Sequence, residues 1–291
     1  MSFFTVSAGA LNGLMLGGLY ACMALGLSMV FGVMRFVNIA HGELLVLAAF
    51  LSFVFSTAFG LHPFIVMLVL IPILFVLGYV MQRVLINPLM SAGLEPSLLT
   101  AFGLSIIAQN LFVEIWGGNT KSLNNNFSEM NVNLLGIDVP LLYIISFFIG
   151  IVVTVGIHLF ITRTYTGRAI RAATQDAATA MVMGINVNRI YAITAAIGAA
   201  TAALGGTLIG MTFSFTPTTG FPWLLKGFVV VVLGGMGNII GTLAGGLLLG
   251  LSEGIGAAFV GTGYRDMVGF VIFLLVLMFR PTGLFGLKGS E

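Results

Sequence analysis

Charged residues are scarce in this sequence. Only 7% of the 291 residues are Asp, Glu, Lys or Arg, and 59% are hydrophobic. An average soluble domain, in contrast, has roughly a quarter of its residues charged. A soluble chain of this length needs a charged surface, and eleven basic and nine acidic residues cannot provide one. The composition therefore excludes a soluble globular protein and predicts that lipid covers most of the outside.

Residues that bind metals or carry catalysis are also few. The sequence holds one cysteine, Cys22, and three histidines in separate segments, His41, His62 and His158. One cysteine excludes an intrachain disulfide, and isolated histidines without an HExxH motif do not indicate a metal site. The chain has no GxxxxGK[ST] phosphate-binding loop, so any ATP hydrolysis requires another polypeptide. We therefore expect no cofactor and no enzymatic centre, with the lipid bilayer and not nucleic acid as the surroundings.

Long uncharged runs predict about eight to ten membrane spans, because a helix needs about 20 apolar residues to cross the hydrocarbon core. Glycines spaced by three or four within several runs indicate close helix packing. We therefore expect one all-α domain over residues 1–291, a polytopic membrane helix bundle that includes short or interrupted helices. The candidate spans are residues 9–34, 44–60, 63–86, 97–116, 140–161, 190–213, 224–235, 238–259 and 266–280.

The basic residues predict the orientation. Residues 117–139 are rich in asparagine, whereas residues 162–189 hold four arginines against one aspartate. The positive-inside rule makes the second segment cytoplasmic and places the first on the outer side, with the N-terminus outside and the C-terminus inside. Eight of the eleven basic residues, including Arg280 and Lys288, then lie inside. If 224–235 were instead continuous with the next span, Arg280 would lie outside. The count leaves three basic residues outside: Lys121, Lys226 and Arg265.

The segment 162–189 carries the strongest functional signal. Its stretch AIRAATQDAATAMVM contains neither Pro nor Gly. This pattern predicts a short helix over residues 168–183, ended by Gly184 and followed by a second helix from near Arg189. Such an arrangement, with small and basic side chains, is suited to docking into a groove of another protein. A basic cytoplasmic loop is also expected for topology alone, and both interpretations stay open at this point.

This segment resembles the cytoplasmic loop of ABC importer permeases, in which an acidic residue, two alanines and a later glycine mark the coupling helix that inserts into the ATPase subunit. The matching positions are Asp176, Ala177, Ala178 and Gly184, and their spacing departs by two residues from the common EAA-xxx-G form. The stretch GRAIRAATQDAATAMVMGINVNRIYAITAAIGAATAALGGTL looks like the permeases for branched-chain amino acids of the LivH and LivM kind. NGLMLGGLYACMALGLSMVFGVMRFVNIAHGELLVLAAF and WLLKGFVVVVLGGMGNIIGTLAGGLLLGLSE resemble the LivH-type subunit, so the likeness covers most of the chain.

The resemblance implies a type II-like importer permease in a bacterial inner membrane, a non-catalytic subunit that passes branched-chain or other hydrophobic amino acids from a periplasmic binding protein to the cytoplasm. The outer segment 117–139 and the N-terminus would then be periplasmic, and the C-terminus cytoplasmic. It implies as partners a homologous permease subunit, expected to be LivM-like, and two ABC ATPase subunits. Urea or short-chain amide permeases of the same family are an alternative, and an ion-coupled secondary transporter or channel is an alternative from another class. The residues expected to couple to the ATPase are Arg168, Arg171, Asp176, Ala177, Ala178 and Gly184.

Polar groups within apolar runs predict a translocation pathway, because an ionisable side chain at membrane depth is costly unless it faces protein or water. In RFVNIAHGE, topology explains Arg35, and the other polar residues predict an irregular or re-entrant piece that lines the pathway. GGMGNIIG lacks the preceding strand of a dinucleotide fingerprint and predicts an interrupted helix with substrate-coordinating backbone groups. Glu114 and Glu253 stay open between a pathway role and a structural role. The pathway candidates are Asn38, His41, Glu43, Gln109, Asn110, Gly235, Gly237 and Asn238.

Overall fold

The computed structural model describes residues 3–90, 93–123, 127, 130–134, 136–280 and 283–285. Within these residues, nine helices are long and apolar enough to cross a membrane, and they correspond one to one with the uncharged runs of the sequence. The chain is therefore a multi-pass membrane protein with a helical fold, as predicted. Lys288, which the charge count places in the cytoplasm, lies outside the described residues, as do parts of the loop 117–139.

The helices lie in chain order with short connections. A π-helical turn, Gln82–Ile86, joins α3 (Pro63–Met81) to α4 (Asn87–Met90), so that both belong to one span. Strands β1 (Asn131–Leu134) and β2 (Ile137–Pro140) form an antiparallel hairpin, a small addition to the predicted all-α fold. The helices are α1 (Phe3–Met34), α2 (His41–Phe59), α3 (Pro63–Met81), α4 (Asn87–Met90), α5 (Leu94–Trp116), α6 (Leu141–Arg163), α7 (Tyr165–Gln175), α8 (Ala177–Val182), α9 (Val187–Thr212), α10 (Gly220–Gly234), α11 (Ile239–Val260) and α12 (Arg265–Phe279).

Helix α1 lies at the centre of the bundle, because its glycines let two neighbouring helices approach backbone to backbone. A Cβ atom on any glycine of the α1–α11 contact would collide with the backbone of the facing helix. On another face of α1, Gly26 meets Gly198 of α9 in the same way. Such contact supplies the packing energy that holds helices together in lipid. The facing pairs of α1 and α11 are Gly9–Gly254, Gly13–Gly250 and Gly17–Gly246.

The two ends of the bundle differ in what they carry. At one end, which we name the hairpin end, the β-hairpin lies over the start of α1, and Asn12 donates a hydrogen bond to the carbonyl of Asp138. Lys121 pairs through its backbone with Phe215 at the same end. The opposite end, which we name the loop end, carries α7, α8 and the turn between α10 and α11, where Gly237 packs on α1 near Met34.

The described C-terminal residues, 283–285, lie at the loop end. The N–H group of Leu284 donates a hydrogen bond to the carbonyl of Leu233, and the side chain of Asn238 donates to the carbonyl of Phe285. The start of α1 and residues 283–285 therefore lie at opposite ends, as the counting of spans predicts. The assignment of the loop end to the cytoplasm stays a prediction.

Two spans begin in the interior of the bundle instead of at an end. After α1, residues 35–40 return as non-helical chain to the middle of α1, where the ring Nε2 of His41 donates to the carbonyl of Met23 at 3.1 Å. Helix α10 starts directly against this point, since Gly220 packs on Gly42 with no room for a Cβ on either. The irregular piece predicted over residues 36–42 is confirmed, although the helix after it begins at His41 and not at residue 44.

Lys226, which the charge count assigns to the outer side, belongs to a helix of the bundle and not to a loop. Helix α10 begins at Gly220, after a 3-10 turn, so Lys226 lies within the helix and is 9% exposed. Two carboxylates balance its charge: the Nζ atom lies 3.2 Å from Glu253 and 2.7 Å from Asp266. A count of basic residues cannot detect such pairing, because the acids are distant in sequence.

Candidate functional site

The segment predicted as one helix over residues 168–183 forms two helices, α7 and α8, separated at Asp176. The Asp176 carboxylate accepts hydrogen bonds from the N–H groups of Ala178 and Thr179 at 2.9 and 3.2 Å, and so caps the start of α8. The hydroxyl of Thr179 also donates to this carboxylate and is the main cause that lowers the pKa of Asp176 from its ordinary value. The break was missed because the prediction considered Pro and Gly as breakers and not a capping aspartate.

Helix α7 is fixed by its small residues and displays its basic ones. Gly167 packs against the backbone of Phe160 and Ile161 so closely that no side chain would fit. Arg168 and Arg171 are exposed, and their predicted role in coupling stays a prediction. Gly184 takes a φ of 80° after the end of α8, which confirms the predicted glycine stop.

Three consecutive apolar side chains project from the end of α8. We name Met181, Val182 and Met183 the apolar tip; they are 56%, 86% and 77% exposed. The tip lies outside every candidate span, so we do not expect the hydrocarbon core of the membrane to cover it. Large apolar side chains grouped on a surface indicate a contact site. Of the predicted alanines, Ala178 is exposed beside this tip and Ala177 is half-buried. The sequence prediction weighed small and basic residues and missed the tip.

Cavities flank the α7–α8 segment on both sides. One, of about 890 Å³, is lined by Ala177, Met181, Arg83 and Arg189 among others. The other, of about 580 Å³, brings Arg171 together with Asn238 and its neighbours. The loop end therefore presents a ridge with basic and apolar side chains between two depressions.

The GGMGNIIG segment lies at the loop end and not at membrane depth as predicted. Helix α10 ends at Gly234, and Asn238 caps α11 by accepting a hydrogen bond from the N–H of Gly241 at 3.0 Å. Gly235 and Gly237 take φ angles of 88° and 81°, which the reversal of the chain requires. The segment is a tight joint between two helices, and a pathway role for its glycines and Asn238 stays a prediction.

The polar residues of RFVNIAHGE have different environments. The Asn38 side chain accepts a hydrogen bond from the Ala40 N–H at 3.1 Å, and His41 is held by α1, so both shape the irregular segment. Glu43 is 3% exposed, and its Oε1 atom accepts a hydrogen bond from the Ser105 hydroxyl at 3.2 Å. Its other oxygen, Oε2, is buried and has no hydrogen-bond partner among the described residues.

Glu43 lines a cavity of about 320 Å³ between α2, α3 and α5. The remaining lining residues are apolar, and Leu77, Ile107 and Leu111 among them are 40–58% exposed, so the cavity opens to the side of the bundle. Gln109 and Asn110 of α5 do not line this cavity. Asn110 is exposed and donates to the carbonyl of Ile106 in its own helix, and Gln109 is half-buried. Of the pathway candidates, Glu43 thus lies on the wall of this cavity, whereas Gly237 and Asn238 line the cavity of about 580 Å³ at the loop end. The lining residues are Ala40, Glu43, Leu44, Leu47, Leu77, Val80, Met81, Leu85, Leu104, Ile107, Ala108, Leu111 and Phe112.

Glu253 is buried at the centre of a group of charges nearer the hairpin end. Its carboxylate accepts from the Tyr20 hydroxyl at 2.6 Å and from the Arg265 Nε at 3.1 Å, and lies 3.2 Å from Lys226. With Asp266 on Lys226, the formal charges of this group sum to zero. We name these five residues the charge cluster. It joins α1, α10, α11 and α12, which favours the structural role for Glu253. Glu114, in contrast, is exposed on α5.

Removing the central carboxylate of the charge cluster should destabilise the bundle. In a Glu253→Gln variant, the half-buried Arg265 loses the carboxylate that it binds, and the buried Lys226 keeps only the exposed Asp266 as counter-charge. Breaking a buried pair costs about 3–5 kcal/mol, and this is an upper bound here because Asp266 remains on Lys226. We expect a clear fall in the thermal unfolding midpoint of the purified protein, followed by intrinsic fluorescence. The matched control is Glu95→Gln, an exposed acid in the first turn of α5, where loss of the charge costs less than about 1 kcal/mol. Equal midpoints for the two variants would contradict the role assigned to the cluster.

Comparison with known proteins gives a consistent result. A family described as "Branched-chain amino acid transport system / permease component" matches residues 9–277. The chain is 37% identical to the high-affinity branched-chain amino acid transport system permease protein BraD of Pseudomonas aeruginosa, over 94% of each chain. It is 32% identical to LivH, the corresponding permease protein of Escherichia coli, again over 94% of each. The ribose import permease protein RbsC of Escherichia coli is 32% identical over 55% of this chain and 53% of its own. No solved structure matches significantly.

Proposed function

This chain belongs to the branched-chain amino acid transport permease family, and from this premise we propose that it is the membrane subunit of an ATP-driven importer. In this proposal it passes branched-chain and other hydrophobic amino acids from a periplasmic binding protein to the cytoplasm. The protein lies in a bacterial inner membrane with its hairpin end toward the periplasm, where the binding protein docks. Its described loop end faces the cytoplasm, in agreement with the arginines of α7.

The observation that carries the ATP-driven mechanism is the exposed, capped helix α8 at the loop end. Asp176 fixes the start of this helix, and the apolar tip at its other end is uncovered in the chain alone. A rigid helix with an apolar tip between two depressions is suited to insertion into a groove of an ATPase subunit. Nucleotide-driven movement of two such ATPases would push α7 and α8 against the ends of the spans and so open the pathway alternately to each side.

A second permease subunit would cover the side of the bundle formed by α3 and α5. Glu43 reaches a cavity that opens on this side, and a carboxylate facing hydrocarbon would cost several kcal/mol. The exposed amide of Asn110 and the half-buried Gln109 are also poorly suited to lipid. These polar groups support a homologous, LivM-like partner on this face, with the translocation pathway between the two subunits. The opposite faces would contact lipid.

The substrate class rests on the named relatives and on the lining of the cavity. BraD and LivH are named for branched-chain amino acids, whereas RbsC, which matches half of the chain, is named for ribose. Such relatives show that the fold alone does not select the substrate. The cavity beside Glu43 is lined almost wholly by aliphatic side chains, which favours a permeant with an aliphatic side chain over urea or a sugar.

The proposed function predicts uptake that depends on all components. The permease pair, its ATPases and its binding protein are reconstituted into proteoliposomes, and uptake of radiolabelled L-leucine is measured with and without ATP. We expect ATP-dependent leucine uptake and no uptake by this chain alone under a sodium or proton gradient. Transport of urea in place of leucine would support the amide permease, and gradient-driven flux through the single chain would support an ion-coupled transporter.

A further inference from the structure

The Glu43 carboxylate is held in a fixed position with one oxygen free. Ser105 of α5 donates to Oε1, and the start of α10 packs directly against the carboxylate because Gly220 has no side chain. A Cβ on Gly220 would lie 2.5 Å from Oε1 and 2.7 Å from Oε2. The free oxygen, Oε2, is buried without a hydrogen-bond partner among the described residues. A buried acceptor without a donor is costly, and a ligand that supplies one would remove the cost.

The cavity beside this carboxylate selects for a particular chemistry. Its volume of about 320 Å³ lies at the lower end of the range for small-molecule pockets, roughly 300–1,000 Å³. Among the described lining residues, Glu43 carries the one charged side chain, and the others are apolar. A divalent cation would need several oxygen ligands, and a sugar or urea would need several donors and acceptors. An aliphatic amino acid fits this wall with its ammonium group at Glu43 and its side chain on the apolar residues, provided that its carboxylate lies at the open side of the cavity, because the wall holds no side-chain donor for it.

We propose that this cavity binds the α-ammonium group of an aliphatic amino acid through Glu43, with the substrate side chain packed against the apolar walls on α2, α3 and α5. The proposal rests on the proposed function and adds a site and a mode of recognition to it. The ammonium group pairs with the Glu43 carboxylate, which turns enough to offer its unpartnered oxygen to the cavity, while Ser105 binds the other oxygen. Ala108 and Leu77 lie on facing walls and contact the aliphatic part.

Cysteine labelling tests the site directly. The native Cys22 is fully buried, so a cysteine introduced at Ala108, on the cavity wall, becomes the accessible thiol of the described chain. The purified importer complex carrying Ala108→Cys is treated with a maleimide in the presence of L-leucine or of 4-methylpentanoate, which has the same carbon skeleton without the ammonium group. We expect L-leucine to slow the labelling and 4-methylpentanoate to have no effect. The matched control is Phe102→Cys, exposed on the same helix outside the cavity, which neither compound should protect.

The role of the carboxylate is tested in the same background. Glu43→Gln keeps an acceptor for Ser105 but removes the charge, and we expect protection by L-leucine to require about tenfold or more ligand. Glu43→Asp, which retains the charge, should protect at concentrations closer to those of the parent. Thermal unfolding confirms that each variant is folded. Leucine uptake is measured separately on the parent complex, so a failure of the proposed function is recognised on its own. Leucine uptake without protection of Ala108→Cys, or protection unchanged by Glu43→Gln, would overturn the proposed site.

Discussion

A Gly13→Val variant is expected to yield no folded permease. Gly13 of α1 lies against the backbone of α11, and even a Cβ at this position would meet the carbonyl of Gly250 and, at 2.9 Å, the Cα of Gly254. Backbone cannot move aside as a flexible side chain can, so the two helices must separate along their whole contact. Overpacking of a well-packed core costs about 1–3 kcal/mol and sometimes more. We expect a larger loss of stability here, because the added side chain pushes two helix backbones apart.

The measurement is the fraction of membrane-extracted protein that elutes as a single species in size-exclusion chromatography, together with its resistance to proteolysis. The matched control is Gly156→Val in α6, where a Cβ would meet nothing within 4 Å. Glycine costs roughly 0.5–1 kcal/mol in a helix relative to alanine, so this control should be neutral or slightly stabilising. A Gly13→Val protein that behaves as the control does would show that α1 and α11 are not in backbone contact.

A Val182→Glu variant is expected to separate the permease from its ATPase subunits. Val182 is 86% exposed in this chain, so the substitution should leave the permease itself folded. In the proposed complex the same position is buried in a groove, and an unpaired buried charge is strongly unfavourable. We expect the buried charge to cost about 2 kcal/mol or more at the interface, which corresponds to about thirtyfold or more in affinity. Ala178→Trp, a bulky change on the same exposed surface, should act in the same direction.

Copurification of the ATPases with tagged permease, and the dependence of leucine uptake on ATP, provide the two readouts. The matched control is Met130→Glu, which places the same charge on an exposed apolar residue at the hairpin end. That variant should retain the ATPases. Full copurification and coupled uptake with both Val182→Glu and Ala178→Trp would show that α8 is not the coupling helix.

The number and order of spans could be predicted from the sequence because a membrane span needs a long uncharged run, and each run is visible in one dimension. Features that depend on contacts between residues distant in the sequence could not be predicted in this way. The sequence counts Lys226 as one basic residue of the outer side and does not reveal that Glu253 and Asp266 lie beside it. In the same way, residues 217–223 look too polar and too rich in proline to begin a span, yet they start α10 in the interior beside Gly42.

Part of the candidate site was visible in the sequence. The polar residues of RFVNIAHGE stood out against their apolar surroundings. Their order in the sequence does not show, however, that Asn38 binds a backbone N–H and His41 a backbone carbonyl, whereas Glu43 retains an oxygen without a hydrogen-bond partner among the described residues. Ser105 and the aliphatic wall come from other helices and carry no signal by themselves. Asp is a favoured N-cap residue, so the break at Asp176 could have been predicted from the sequence. The apolar tip could have been recognised as three apolar residues directly before the glycine that ends the helix.

The charge cluster also bears on how the chain enters the membrane during its synthesis. Lys226 leaves the ribosome before either of its acidic partners, and a lysine at the centre of a helix inserts at a cost of about 2.5–3.5 kcal/mol. Helix α10 is therefore a poor candidate for release into lipid by itself. The charge of Lys226 is balanced when α11 brings Glu253, and α12 then adds Arg265 and Asp266, which leaves the group neutral. The last three spans thus leave the translocon most favourably as one group, and Glu253 would be needed for biogenesis as well as for stability.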